Sequence, residues 1–452
     1  MGAITLAQAA QWCGGRVAPK YENVTFLGAN NDSRKLEKGQ LFVALQGARD
    51  GHDFIPAALE NGAAAVLCTH CDGDYPAIVV EDTRIALGDI ARNERQRLGM
   101  KVVCITGSVG KSTTKEMVAD VLASTYRVAK TPVNHNNDIG MPMAILSMPE
   151  DTQVAVLELG MNHFGEISYL SHIAKPDVAV IINIGTMHIE HLGSQEGILQ
   201  AKLEILEGLH PAGKVILNGD DPLLWKLDKT LDNCLYFGWN NSESGVFGTD
   251  LEENTGLIRM NVRCKNERFP VELALEGSHY ISDALAAVAV GLTFNVTADK
   301  IHQSLSHFQT MEGRQEIIET NGITIIKDCY NAGPESMAAA LNVLGNRSGR
   351  RVAVLGDMLE LGVCTQAEHY KVGRIAAEKA DVIFAYGANA SRVVSGAITG
   401  GMADICAKAF EDKEKLVAML KQTAKKGDVI LFKGSRGMRL ELVLEKFLAE
   451  EK

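Results

Sequence analysis

Short apolar runs closed by small or polar residues recur along the chain, and apolar positions return at helical spacing between them. From Lys101 the runs lengthen. KVVCITG (101–107), QVAVLELG (153–160), DVAVIINIG (177–185) and KVILNGDD (214–221) are apolar at consecutive positions. Strands of that kind are buried on both faces, as in a parallel sheet covered by helices. STTKEMVADVLASTY (112–126), EGILQAKLEILEGL (196–209) and ISDALAAVAVGL (281–292) read as the helices between and after them. Residues 1–98 carry shorter runs, GQLFVALQG, GAAAVLCT and PAIVVEDT, among Gly- and Asp-rich turns, and ALGDIARNERQRLG (86–99) is a helix leaving that block. A last block from Met311 has three strands, RRVAVLGDM, ADVIFAYG and GDVILFKGSRG, alternating with helical segments.

The pattern predicts an α/β chain of three domains: a small N-terminal α/β domain (1–98), a central doubly wound parallel-sheet domain (99–310) and a C-terminal Rossmann-like domain (311–452). Ligands in such sheets bind beyond the carboxyl ends of the strands. The residues that follow each strand are therefore the candidates.

Composition narrows this little. The chain has 452 residues, 22% of them charged, and a net charge of −11, which disfavours a nucleic-acid partner but permits a local anion site. The N-terminal segment shows no signal peptide, and no run of about 18 apolar residues predicts a membrane span. Nine scattered cysteines read as free thiols, Cys68 and Cys71 included, because no second pair follows at zinc spacing.

The strand end at 104–113, CITGSVGKST, carries the first chemistry. A Gly-rich turn, Lys111 and the hydroxyls of Ser112 and Thr113 at a strand-to-helix junction suit phosphate and Mg²⁺. The common phosphate-loop spacing asks for glycine at 105, where the chain has Ile105 and places glycine at Gly107 instead. Glu158 ends the next buried strand and is a candidate Mg²⁺ ligand or a paired structural carboxylate. His188 follows the third strand, and Lys202 lies fourteen residues on, in a helix. Alone, a histidine after a strand is usually structural and a lysine on a helix usually solvated. The amides Asn134, Asn136 and Asn137 suit either a phosphate or acyl contact or a loop of Asx-turns.

TGSVGKST, NHNNDIG, LELGMNH, HIEHLGS with its following AK, LNGDD, EGR, KDCYNAGP and GDMLELG occur in this order over nearly the whole chain. In this the chain resembles the Mur ligases, ATP-dependent amide-bond ligases of cell-wall synthesis. That family uses a shorter loop, T-G-x-x-G-K-[ST], which Thr106 to Ser112 fits. NDSRKLEKGQLFVALQG resembles the uridine-nucleotide domain of the two later ligases, and DCYNAGP resembles the motif of the one that adds the final dipeptide.

The resemblance implies roles for particular residues. Thr106, Gly107, Ser108, Val109, Gly110, Lys111, Ser112 and Thr113 would bind ATP, with Asn218 and Asp221 near adenine and Arg314 and Asp328 reaching it from the last domain. Ser112 and Glu158 would hold one Mg²⁺, and His188 with a carbamylated Lys202 a second. Asp32, Ser33, Arg34 and Gly47 would bind the UDP substrate, and Tyr330 and Asn331 would contact substrate from the last domain. The implied substrates are ATP, a UDP-N-acetylmuramoyl tripeptide and D-alanyl-D-alanine, used in the cytoplasm by a monomer. Three departures stand out: Tyr280 and Asp283 replace asparagines of the family's H-N-x-x-N, and Gly333 replaces the second asparagine of its Asn-Ala-Asn. A ligase with another acceptor, a P-loop kinase or GTPase, and a catalytically silent homologue are the competing readings. The kinase reading leaves residues 1–98 unexplained, and the silent homologue predicts loss of Lys111, Glu158 or Lys202, all present.

Overall fold

The structure is a computed structural model that describes residues 2–227, 231, 233–265 and 267–449. A five-stranded sheet near the N-terminus runs in the order Arg16–Val17, Ala77–Val79, Ala65–Cys68, Leu41–Val43, Ala29–Asn30. The helix Thr83–Leu98 leaves it, starting three residues before the apolar pattern because Asp82 caps it, accepting from the amides of Arg84 and Ile85.

The central sheet has nine strands. Lys101–Thr106 lies between Val154–Glu158 and Val178–Ile181, parallel to both. The chain winds outward on one side through Val128–Lys130 and on the other through Lys214–Asn218 and Cys234–Gly238. The order therefore reverses at Lys101–Thr106, which opens a crevice at its carboxyl end. Val102 and Cys104 point into one apolar cluster, Val103 and Ile105 into the other, so helices cover both faces.

Beyond Cys234–Gly238 the sheet continues through Val246–Asn254, Leu257–Cys264 and Glu267–Leu273, the last two pairings antiparallel. The parallel-sheet reading of this domain thus holds for its core and not for this edge. Leu257–Cys264 alternates buried and more exposed positions and faces water on one side, unlike the continuously apolar inner strands.

The third sheet has six strands, in the order Glu316–Thr320, Ile323–Asp328, Asp428–Lys433, Arg350–Gly356, Val382–Tyr386, Ala407–Phe410. Only the first pair is antiparallel. It turns at Asn321-Gly322, both with positive φ (51° and 76°), the geometry that Asn-Gly favours in tight hairpins. Among the described residues, no helix is long and apolar enough to cross a membrane.

Candidate active site

The buried strand Lys101–Thr106 delivers the chain to a turn, and Gly110 starts the helix Lys111–Ala123 with φ 85°. Glycine is required at 110 twice over: φ is left-handed, and a Cβ would stand 2.6 Å from Asp283 Oδ1. The turn is pinned by Asn183, whose Oδ1 accepts from the amides of Ser108 (2.9 Å) and Val109 (3.0 Å), while its Nδ2 donates to the Val109 carbonyl. Lys111 Nζ donates to the carbonyls of Gly107 (2.8 Å) and Ser108 (3.2 Å). Burial pushes this ammonium below its usual range, with Glu158 acting in the opposite direction.

Three elements meet at the Ser112 hydroxyl. It donates to Glu158 Oε2 at 2.8 Å and lies 3.0 Å from Arg314 Nη2, which reaches across from the chain leading into the third sheet. The other Glu158 oxygen accepts from Asn136 Nδ2 at 2.8 Å. Glu158 is 6% exposed, so it is a strand-end carboxylate held in place by two donors.

His188 has φ 65° and precedes the short helix Ile189–Leu192. Burial, then the charges of Lys111 and Lys202, push its imidazole down to about 4. Its Nδ1 is 2.8 Å from Glu360 Oε2, yet the two are not aligned as a hydrogen bond. Lys202 is buried on the helix Gln195–Leu203, and its Nζ makes no hydrogen bond or ion pair with any described residue. Burial, helped by Lys111, holds its ammonium well below the usual range and so favours the neutral amine.

Among the described residues, no three His, Cys, Asp or Glu side chains cluster at metal-binding separation. The contacting oxygens of Ser112 and Glu158 suit a hard cation such as Mg²⁺. His188 and Lys202 fit a second ion only if the lysine carries an added carboxylate, and a buried neutral amine without a partner suits that change.

The third sheet closes the site. Arg314 lies over the Tyr330 ring at 4.1 Å, and the Tyr330 hydroxyl donates to Asn134 Oδ1. Lys433 Nζ pairs with Asp328 Oδ2 at 2.6 Å and also donates to the Asn331 carbonyl. Glu335 Oε1 accepts from the amide and hydroxyl of Thr186, two residues before His188. Arg347 Nε donates to Glu276 at 3.0 Å, a further tie between the two sheets. Gly333 caps the helix Pro334–Gly345, and a Cβ there would meet Met187 Cγ at 2.8 Å, so a larger residue requires the Met187 side chain to move. The result is one cavity of about 550 Å³ lined from both sheets.

Ser108 to Thr113, Asn134, Asn136, Asn137, Glu158, His188, Asn218, Arg314, Asp328, Tyr330 and Asn331 all line this cavity. Thr106, Gly107 and Lys202 sit behind its wall rather than on it, because strand and helix packing enclose them. Asp221 is also off the wall: its carboxylate takes the Ile184 amide at 2.7 Å and caps the helix Pro222–Trp225. Asn137 lines the cavity while its Oδ1 accepts the Gly140 amide, which is the Asx-turn use of that side chain. Asn183 and Glu335 carry no site reading in the sequence, and Asp283 enters there only as a departure from the family's H-N-x-x-N. Asn183 alone carried a local signal, an amide directly after a buried strand.

Asp32, Ser33, Arg34 and Gly47 lie apart from this cavity. Arg34 grips Asp32 through two nitrogens, at 2.9 and 2.8 Å, and holds its carboxyl down to about 2. The Ser33 carbonyl accepts from Asn61 Nδ2, and Gly47 is exposed on a turn closed by its amide to Arg49. A second cavity of about 280 Å³ between the first two sheets is lined by Asn30, Gln40, Lys130 and His135 among others, and by none of these four. Cys68 is buried and Cys71 exposed, and no disulfide joins them.

Three family profiles match the chain: "Mur ligase family, catalytic domain" over residues 23–95, "Mur ligase middle domain" over 105–291 and "Mur ligase, glutamate ligase domain" over 313–436. A UDP-N-acetylmuramoyl-tripeptide–D-alanyl-D-alanine ligase of Bacillus subtilis (strain 168) is 40% identical, with 98% of each chain covered. The Escherichia coli (strain K12) ligase of the same name is 35% identical, again with 98% of each covered. The crystal structure of MurF from Acinetobacter baumannii superposes with a TM-score of 0.91 at 33% identity, over 99% of both chains. MurF ligase from Thermotoga maritima in complex with ADP gives a TM-score of 0.83 at 32% identity, over 93% of this chain and 97% of that one.

Proposed function

The chain belongs to the Mur ligase family, and we propose that it joins D-alanyl-D-alanine to a UDP-N-acetylmuramoyl tripeptide at the expense of ATP. The products are the UDP-N-acetylmuramoyl pentapeptide, ADP and phosphate, and the reaction serves cell-wall precursor synthesis in the cytoplasm. The observation that carries this reading is the Ser112 hydroxyl, touched at once by Glu158 of the central sheet and Arg314 of the third.

The chemical difficulty is the approach of one anion to another. The tripeptide carboxylate attacks the γ-phosphate of ATP, an acyl phosphate forms, and the amine of the dipeptide displaces phosphate. Lys111, Arg314 and the first amides of the helix Lys111–Ala123 place positive charge along that approach. Asn136 and Ser112 hold the Glu158 carboxylate in one orientation. In this reading Ser112 and Glu158 hold one magnesium ion, and His188 with a carbamylated Lys202 a second. Magnesium, when bound, neutralises phosphate charge and orients the γ-phosphoryl group. Asn218 marks the adenine end of the site, with Asp221 behind the wall bracing the Ile184 amide, and Asp328 the ribose. Tyr330, Asn331 and the amides Asn134, Asn136 and Asn137 contact the acyl substrate. Asp32, Ser33, Arg34 and Gly47 take the uridine nucleotide. Residues 1–98, 99–310 and 311–452 thus bring UDP substrate, ATP and closing contacts respectively.

Phosphate release by the purified chain tests this. Release should require both the UDP-tripeptide and D-alanyl-D-alanine. Sustained release with the tripeptide alone, or with an unrelated acceptor in place of the dipeptide, would overturn it. Comparing diaminopimelate- and lysine-containing tripeptides would then define the substrate.

A further inference from the structure

Asp283 lies on the helix His279–Thr293 and is 4% exposed. Its Oδ1 accepts from Thr114 Oγ1 at 2.7 Å and lies 2.6 Å from where a Cβ on Gly110 would stand. It therefore packs against both ends of the first turn that carries the phosphate loop. The residue also lines the main cavity, and its second oxygen makes no hydrogen bond with any described residue. A carboxylate so enclosed, with one neutral donor, is a costly place for a charge.

The charged and titratable groups around it are few. Arg314 faces it from the third-sheet side and favours the carboxylate. Lys111 begins the helix that Thr114 belongs to. On its own helix, burial keeps His279 neutral, at about 4, and keeps Tyr280 protonated. Asp328 and Lys433, next to His279, pair with each other.

We propose that Asp283 is a positioning residue for the nucleotide: as the neutral acid it fixes the phosphate loop through Thr114, and its ionisation sets a negative charge behind the loop that opposes bound phosphate. This rests on the nucleotide site proposed above. Burial raises the carboxyl to about 7, which brings the change within the working range of most enzymes. Nucleotide affinity therefore falls as pH rises through that value.

The test is calorimetric titration of the full chain with the β,γ-imido analogue of ATP and magnesium, between about pH 6 and about pH 8.5. Asp283→Asn keeps an acceptor for Thr114 and cannot ionise. Wild type should lose roughly tenfold more affinity over this range than Asp283→Asn does. The ligand's own phosphate titration is common to both proteins and cancels. Thr114→Val removes a hydrogen bond that favours the carboxylate, so the loss should move to higher pH. Equal pH slopes in wild type and Asp283→Asn, or an unmoved inflection in Thr114→Val, would overturn the proposal. If Asp283→Asn does not fold, the Thr114→Val comparison decides alone. Absence of nucleotide binding by wild type at every pH would instead sink the nucleotide site itself.

Discussion

The cavity between the second and third sheets and the exposed turn at Asp32–Arg34 use the same kinds of side chain in opposite ways. In the cavity Ser112 is tied to residues 46 and 202 positions away, Glu158 and Arg314. In the turn Asp32 is tied to Arg34, two positions away, with Arg34 almost fully in solvent. Charges in the cavity are stripped of water, so each partner matters and removal of one strands the others. Charges in the turn are screened and replaceable by water. Pairing of buried charges is thus set by the fold, and pairing of solvated charges by local chain geometry.

The sharpest way to break this contrast is Glu158→Gln. It should lower kcat by roughly 10²–10³-fold with a melting temperature near wild type, because the amide oxygen still accepts from Ser112 and its NH₂ donates to Asn136 once that amide flips. A kcat within about tenfold of wild type would remove Glu158 from the reaction. Next comes Lys202. Enzyme depleted of dissolved carbon dioxide should lose roughly tenfold or more of its activity and regain it with bicarbonate, and intact-protein mass should show the added group. No response to bicarbonate argues against the carbamate.

Arg347→Met tests the tie between the sheets. It leaves Glu276, 5% exposed, without its cation, at a cost of about 3 kcal/mol near neutral pH. Burial already raises the Glu276 carboxyl, so the deficit should shrink in acid as the group protonates. Equal melting deficits at acidic and basic pH would contradict that cause.

Asp283 sets a smaller effect. Its folded pKa of about 7 exceeds the unfolded value of 3.8, so its contribution to stability is whole below the unfolded value and is lost as pH rises through about 7. Asp283→Asn should therefore melt higher than wild type at about pH 8 and no higher at about pH 4. Asp32, held at about 2, adds no inflection over that range. Smallest is Arg34→Ala, expected to leave the melting temperature near that of wild type because the pair is screened by water, while raising KM for the UDP substrate and not for ATP. A raised KM for ATP would mean that the turn and the cavity are coupled.

The phosphate loop and Glu158 were legible in the sequence because each sits where an apolar run stops. A buried strand must end in something, and a lysine or carboxylate there has few structural uses. His188 and Lys202 had no such signal and took their roles only from the ordered motifs around them. The contacts of Asn183, Asp283 and Glu335 are not legible in the sequence because their partners are 74, 169 and 149 positions away. The outer strands from Val246 to Leu273 escaped for a different reason: their alternating pattern was present but competed with the stronger continuous runs. The Asn321-Gly322 hairpin is likewise written locally, in a dipeptide that takes positive φ at both positions.

The sequence by itself determined the elements, their grouping into three blocks and the loop that marks the nucleotide site. Apolar periodicity and glycine placement are local properties, and local properties survive in a linear string. Tertiary structure decided which charges lose their water and whom they face. It brought Arg314 to Ser112, left Lys202 buried without a partner and set Asp283 behind the phosphate loop. Desolvation depends on everything packed around a group, so no stretch of sequence contains it.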